Sequence, residues 1–239
     1  MREKVVPTRG TMSAQRPGTS LSGTTQDGLR SYVFYPGGIG YDYLTQLPTG
    51  EHELMFGGGW ASSYNSAFAD IGFADDSDFS PSVASHLAGA LPLYFSNTQW
   101  GKEKAPEKTS DDVEGVRWGD GRTKAQWSGI LGISADGLPW VGRLPQKLSG
   151  RSQPPVSPIP QSSDKQSVET QASTASPGEW ISAGYTGEGM VHAWMCGKAL
   201  ASMVLDKDDE IEAWFPEVLR ITEARWKKAK LEDFIARRL

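Results

Sequence analysis

The stretch from Trp180 to Leu200 constrains the fold more than any other. Trp180-Ile181-Ser182-Ala183 is a short apolar run, Gly184 to Met190 is rich in glycine, and Val191 to Leu200 carries mostly helix-forming residues. That order predicts a strand, a turn and a helix. Glycines in the turn let backbone approach a neighbouring group where a Cβ would intrude. A helix starting there aims its unpaired N–H groups and positive dipole end at the turn, a seat for an electron-rich oxygen. Ala193, Gly197 and Ala201 recur every fourth residue, which predicts a smooth helix face lying tight against a sheet. Met190, Trp194 and Val204 flank that face, and His192, Lys198 and Ser202 fall elsewhere. Spacing alone fits an ordinary strand–turn–helix corner equally well.

A chain of 239 residues can bury one core or two modest ones. Its 38% hydrophobic and 22% charged residues suit a soluble globular protein with some irregular sequence. A net charge of −5 argues against binding a phosphate backbone. No apolar run approaches the ~20 residues of a membrane span. Met1-Arg2-Glu3-Lys4-Val5-Val6-Pro7 lacks the apolar core of a secretion signal, so an intracellular, cytoplasmic protein is expected. The single cysteine, Cys196, excludes an internal disulfide and suits a reducing compartment. Nine tryptophans and 27 glycines fit either a pocket for a planar ligand or simply a β-rich core.

From the start of the chain, Val5 to Ala14 reads as two strands around a turn at Arg9-Gly10. A polar loop follows over Ser20 to Asp27. Tyr32 to Tyr35, Tyr41 to Gln46 and Glu53 to Phe56 are β-prone runs separated by Pro36-Gly37-Gly38 and Pro48-Thr49-Gly50, which predicts an antiparallel meander. Gly57-Gly58-Gly59-Trp60 ends it with bare backbone. Residues 61–79 are acidic and loop-like. Ser80-Pro81 reads as an N-cap and first helical residue, with Val83, Leu87, Leu91 and Tyr94 on one face and His86 a structural histidine. Lys102 to Asp112 is a charged loop, Val113 to Trp118 and Ala125 to Ser134 are strands, and Ala135 to Pro139 is a turn before Trp140-Val141-Gly142-Arg143. Residues 149–178 hold almost no large apolar side chain, so burial would not offset the entropy of ordering them. They read as a disordered insertion. Asp206 to Glu210 is a solvated charge run. A last helix is predicted over 216–237, anchored by Leu219, Trp226, Leu231 and Phe234, with Arg225, Lys227, Lys228 and Lys230 facing water.

Metal-ligand, nucleophile-elbow and phosphate-loop patterns are absent, and the three histidines are scattered at 52, 86 and 192. Two stretches stand out together: Trp127 to Gly142, containing Trp127-Ser128-Gly129-Ile130 and Asp136-Gly137-Leu138-Pro139, and Ala183-Gly184-Tyr185-Thr186-Gly187-Glu188-Gly189-Met190. In order and spacing the pair resembles the carboxy-terminal signature of FAD-dependent amine and D-amino-acid oxidoreductases, the family of glycine oxidase, sarcosine oxidase and D-amino-acid oxidase. Tyr41 to Gln46, Gly57-Gly58-Gly59 and Val6 to Gly10 also resemble its substrate-domain sheet. The likeness covers about residues 4–148 and 179–206.

The resemblance implies an α+β chain. A mixed or antiparallel substrate-binding sheet domain would occupy 1–122, the carboxy-terminal strands and helix of a Rossmann-like FAD domain 123–206, and a helical tail 207–239. The flavin edge would meet Gly184, Tyr185, Thr186, Gly187, Glu188, Gly189 and Met190, with substrate between it and Tyr41, Tyr43, Trp60 and Trp127. The implied reaction passes hydride from the carbon beside an amine nitrogen to flavin, leaving an imine that water hydrolyses. Some relatives carry arginine for the substrate carboxylate where this chain has Trp127. Covalent members use a cysteine near that strand, whereas Cys196 lies in the following helix, so FAD is expected to bind noncovalently. The sequence has no leading G-x-G-x-x-G unit. It reads as a partial chain acting on a small amine or amino-acid-like molecule, with a chain carrying the nucleotide-binding half as one possible partner and neither nucleic acid nor membrane as another. The alternative is a noncatalytic remnant or interaction module of the same fold that needs a separate nucleotide-binding chain or binds no flavin.

Overall fold

The computed structural model describes residues 1–21, 28–35, 40–60, 70–103, 121–152 and 177–236. The fold is α+β: a five-stranded antiparallel sheet, a two-stranded sheet and several helices. Contacts divide the chain into two compact units, Pro7–Ile130 and a second made of Met1–Val6 with Leu131–Leu239.

The five-stranded sheet, most of whose residues belong to the first unit, is ordered β2-β3-β4-β1-β5, from β1 (Val5–Gln15), β2 (Ser31–Phe34), β3 (Asp42–Gln46), β4 (Leu54–Gly58) and β5 (Thr123–Ser134). The predicted meander is present, with Tyr32 opposite Leu44 and Leu44 opposite Phe56. Strand β3 alternates strictly, burying Asp42, Leu44 and Gln46. The expected turn at Arg9-Gly10 does not form, and β1 runs unbroken. Gly10 takes no left-handed conformation, Thr8 and Thr11 are buried, and Arg9 is held by Asp70 at 3.2 Å, so the segment extends.

Helix α1 (Pro81–Tyr94) packs on this sheet through Val83, Leu87 and Leu91 against Leu44, Leu54 and Phe56. Ser80 is its N-cap by position, but its side chain makes no capping bond. Pro92 lies inside the helix and has no N–H for the Ala88 carbonyl. Arg122 supplies the missing donor through Nη2. Gln126 and Gln15 donate likewise to the carbonyls of Ala84 (2.8 Å) and Leu87 (2.7 Å). A four-residue turn, α2 (Asn97–Trp100), follows and buries Trp100.

In the second unit β6 (Trp140–Arg143) pairs antiparallel with β7 (Trp180–Ala183), with short α3 (Gln146–Ser149) between them in sequence. Helix α4 (Gly189–Val204) buries Cys196, Ala199 and Met203 against Val141, Ile211, Phe215 and Leu219. The face carrying Ala193, Gly197 and Ala201 is exposed, contrary to the packing expected of it. Both stripes repeat at helical spacing, and the one carrying Cys196, Ala199 and Met203 is the one buried.

The predicted long last helix is broken into a 3-10 turn at Glu217–Leu219, α5 (Glu223–Lys228) and α6 (Leu231–Ala236). Arg220 and Ile221 are extended instead, bridging Val141, and Thr222 caps α5 through its side chain. At the second break the Ala229 carbonyl accepts from Lys4 Nζ at 2.6 Å. Leu219 and Phe234 are buried anchors as expected. The strand expected at Val113 to Trp118 and most of the insertion expected at 149–178 fall outside the described residues. Among the described residues no helix is long and apolar enough to cross a membrane.

Candidate functional site

The glycine turn sits where β7 ends and α4 begins. Its backbone is bent by three left-handed residues, Gly184 (φ +78°), Thr186 (+55°) and Gly187 (+88°). A Cβ on Gly184 would lie 3.0 Å from Val5 Cγ2 and 3.3 Å from Trp140 Cδ1, so packing as well as conformation demands glycine there. Thr186 is β-branched, and left-handed backbone is costly for such a residue. It is held by three bonds: its N–H donates to the Gly132 carbonyl (3.0 Å), its Oγ1 accepts from the Ser134 N–H (3.1 Å), and the same hydroxyl donates to the Gly184 carbonyl (3.3 Å). Gly189, by contrast, has open space where a Cβ would go.

Among the described residues, none accepts a hydrogen bond from the amides of Gly187, Gly189 or Met190. The Glu188 side chain does not cap α4 and lies 3.5 Å from His192 instead. Three amides at a helix start, beside exposed Gly187 and Glu188 and a fully exposed Met190, form an electropositive surface suited to an anionic or electron-rich group. Tyr185 turns away, its hydroxyl 2.6 Å from Ser182 Oγ.

Behind the turn lies a polar core that sequence reasoning missed. Arg225, expected in water, is nearly buried and uses all five of its N–H donors. Two go to Asp136 (2.8 and 3.0 Å) and three to the carbonyls of Leu138, Pro139 and Leu219 (2.8 to 2.9 Å), while the guanidinium lies 3.9 Å over the Trp140 ring. Burial opposes the Asp136 charge, but bonds from Arg225 and Ser134 outweigh it and hold the carboxyl below its ordinary range. A cavity of about 240 Å³ in this unit is lined by Gly142, Arg143, Trp180, Asp208, Arg220 and Thr222, and by no residue of the turn. Arg220 is already engaged there by Asp208 (2.6 Å) and Glu217 (2.9 Å). Cys196 is buried, which raises its thiol above the usual range and keeps it a neutral core residue.

The other predicted residues all lie in the first unit. Tyr41 and Tyr43 are neighbours, with ring centroids 6.3 Å apart, and the Tyr43 ring lies across Gly57 on the next strand. Burial, then Tyr41 and Asp42, raises the Tyr43 phenol, so it is neutral at pH 7. Trp60 borders a cavity of about 10 Å³ with Arg9, Asp70 and Val83, room for one water. Trp127 stands on β5 with its side chain partly exposed.

Beside these tyrosines is a second unforeseen cluster. Asp42 is buried and accepts from His86 Nε2 (2.7 Å), Tyr94 Oη (2.6 Å) and the Gly59 amide (2.6 Å). Burial raises its proton affinity, but these bonds prevail and keep the carboxyl below its usual range. Burial and the same carboxylate push the Tyr94 phenol well above its ordinary value. The sequence signal was present: a carboxylate at an inward position of an alternating strand needs donors, and His86 and Tyr94 share a face of α1. No group of three or more potential metal-ligating side chains occurs among the described residues. Comparisons with protein-family models, curated proteins and solved structures return no match.

Proposed function

We infer that this chain carries the substrate sheet and the flavin-edge turn of an FAD-dependent oxidoreductase acting on an amine or amino-acid-like substrate. The observation that carries this reading is the turn itself: three amides at the start of α4 with no acceptor among the described residues, presented by a backbone bent left-handed at Gly184, Thr186 and Gly187. The pairing of β6 with β7 supports it by bringing Trp140-Val141-Gly142, which follows the Asp136-to-Pro139 turn, beside the turn's leading strand. On this reading Gly187, Gly189 and Met190 would hold the electron-rich edge of the isoalloxazine through their amides. A bound flavin would supply the hydride acceptor for a carbon beside an amine nitrogen. The α4 dipole would favour negative charge at the turn. Tyr41, Tyr43, Trp60 and Trp127, all in the first unit, are the residues the resemblance assigns to the substrate. The fit concerns that ring edge.

The test is to add FAD to the purified chain, dialyse, and record the visible spectrum. Retained flavin absorbance is expected for the wild type and its loss for Gly187→Val, whose valine would sit at φ +88°. A wild-type chain that stays colourless, or a variant that retains flavin equally, would overturn independent flavin binding through this turn. The noncatalytic reading is favoured by one observation, that neither cavity described above is lined by the turn. It predicts the colourless result.

A further inference from the structure

We propose that Arg225 is a positioning residue for the glycine turn, acting through a buried relay from the carboxy-terminal segment: Arg225 to Asp136, Asp136 to Ser134, and Ser134 to Thr186. The flavin consequence rests on the reading above, but the relay itself is a property of this chain.

Each link is a short, directed contact between buried or nearly buried groups. Arg225 grips Asp136 with a two-pronged fork, and the Asp136 carboxylate accepts from Ser134 Oγ at 2.8 Å and from the Leu138 amide at 3.2 Å. Ser134 is fully buried; its Oγ also accepts from Trp140 Nε1 at 2.9 Å, which fixes the direction of its own hydroxyl proton toward Asp136. The Ser134 amide then donates to Thr186 Oγ1, and that hydroxyl turns its proton to the Gly184 carbonyl. Every donor has one acceptor to serve, so the hydroxyl orientations along the chain are determined rather than free. At its end stands the only β-branched residue of the turn, in a left-handed conformation that these bonds must maintain.

Arginine is specifically required at the other end. Five N–H donors in a planar fork meet five acceptors, and the same plane stacks on Trp140; a lysine offers three donors and no plane. Such an investment on a short helix of the tail is unnecessary for anchoring alone, because Leu219 and Phe234 already anchor that segment by burial.

The experiment is amide hydrogen exchange on the full chain, read at the hydrogen-bonded amides of Thr186 and Glu188, with Ala199 in α4 as the reference for general loosening. Arg225→Met is expected to speed exchange at Thr186 and Glu188 by about tenfold relative to Ala199. Thr186→Val should do the same without affecting Ala229, whereas Thr186→Ser, which keeps the hydroxyl, should behave as wild type. The double variant R225M/T186V should be no faster at Glu188 than either single variant, because both cut one relay. If R225M fails to fold, Asp136→Asn, of the same volume, serves in its place. Equal acceleration at Ala199, additive effects in the double variant, or a T186S that matches T186V would each overturn the relay. Flavin titration separates the two ideas. Wild-type binding weakened about tenfold by R225M would support both. Binding unaffected by R225M would sink the positioning role. No binding to wild type would sink the flavin reading, while the exchange pattern still decides the relay.

Discussion

At the scale of single residues, the buried charges explain more than the apolar core does. Asp42 is buried and collects three donors, so each partner depends on it more than it depends on any one of them. Removing Asp42 strands a histidine, a phenol and a backbone amide together; removing His86 leaves the carboxylate with two donors. Asp42→Ala is therefore expected to cost about 3 kcal/mol and His86→Ala about 1 kcal/mol, read from urea denaturation. Equal costs would show that the carboxylate is not the hub. The sequence shows that Asp42 needs donors but does not say which residues supply them. His86 could be read as a hydrogen-bonded structural residue, but its partner lies 44 positions away on another element. Arg225 was misread for the same reason: an arginine among lysines on an amphipathic stretch looks solvated until Asp136 and three carbonyls are seen to surround it.

Elements were more legible, because their signals are local. The meander, the Ser80-Pro81 helix start and the strand–turn–helix at Trp180 follow from turn residues, capping position and periodicity, and they stand as expected. Errors arose where distant pairing overrode a local cue, as at Gly10 within β1 and at Ile221 beside Val141. Helix α4 failed differently. Its two stripes are both periodic, and periodicity cannot say which one faces a core, so Trp194 and Val191 are left 84% and 73% exposed. Helix α1 offers a test at this scale. Pro92 costs it a backbone bond, and Arg122 compensates at the Ala88 carbonyl. Pro92→Ala should stabilise the protein by about 1–3 kcal/mol by restoring the helical donor. Arg122→Met should then cost about 1 kcal/mol in the parent but measurably less with alanine at 92. The same cost in both backgrounds would mean that Arg122 acts elsewhere, for example through Glu103.

For the whole molecule the same electrostatic design recurs in each unit, and it fixes how stability depends on pH. Asp42 in one unit and Asp136 in the other are both held below their ordinary carboxyl range, each because hydrogen bonds to the charged form outweigh burial. A carboxyl with a depressed folded-state value binds fewer protons folded than unfolded. Its stabilisation is complete above the unfolded value of about 4 and disappears as pH falls through the lower folded value. Glu51 and Glu53, gripped by Lys124 at 3.2 and 2.6 Å, shift in the same direction and add to the slope. The midpoint of thermal unfolding should therefore be nearly flat from pH 7 to about 5 and fall steeply below about 4. Asp42→Asn and Asp136→Asn should each start lower at pH 7 and lose less on acidification, so their curves converge on the parent's near pH 3. Parallel curves for parent and variants would show that these two carboxylates do not set the acid limit, and a midpoint rising on acidification would reverse the sign argued from their environments.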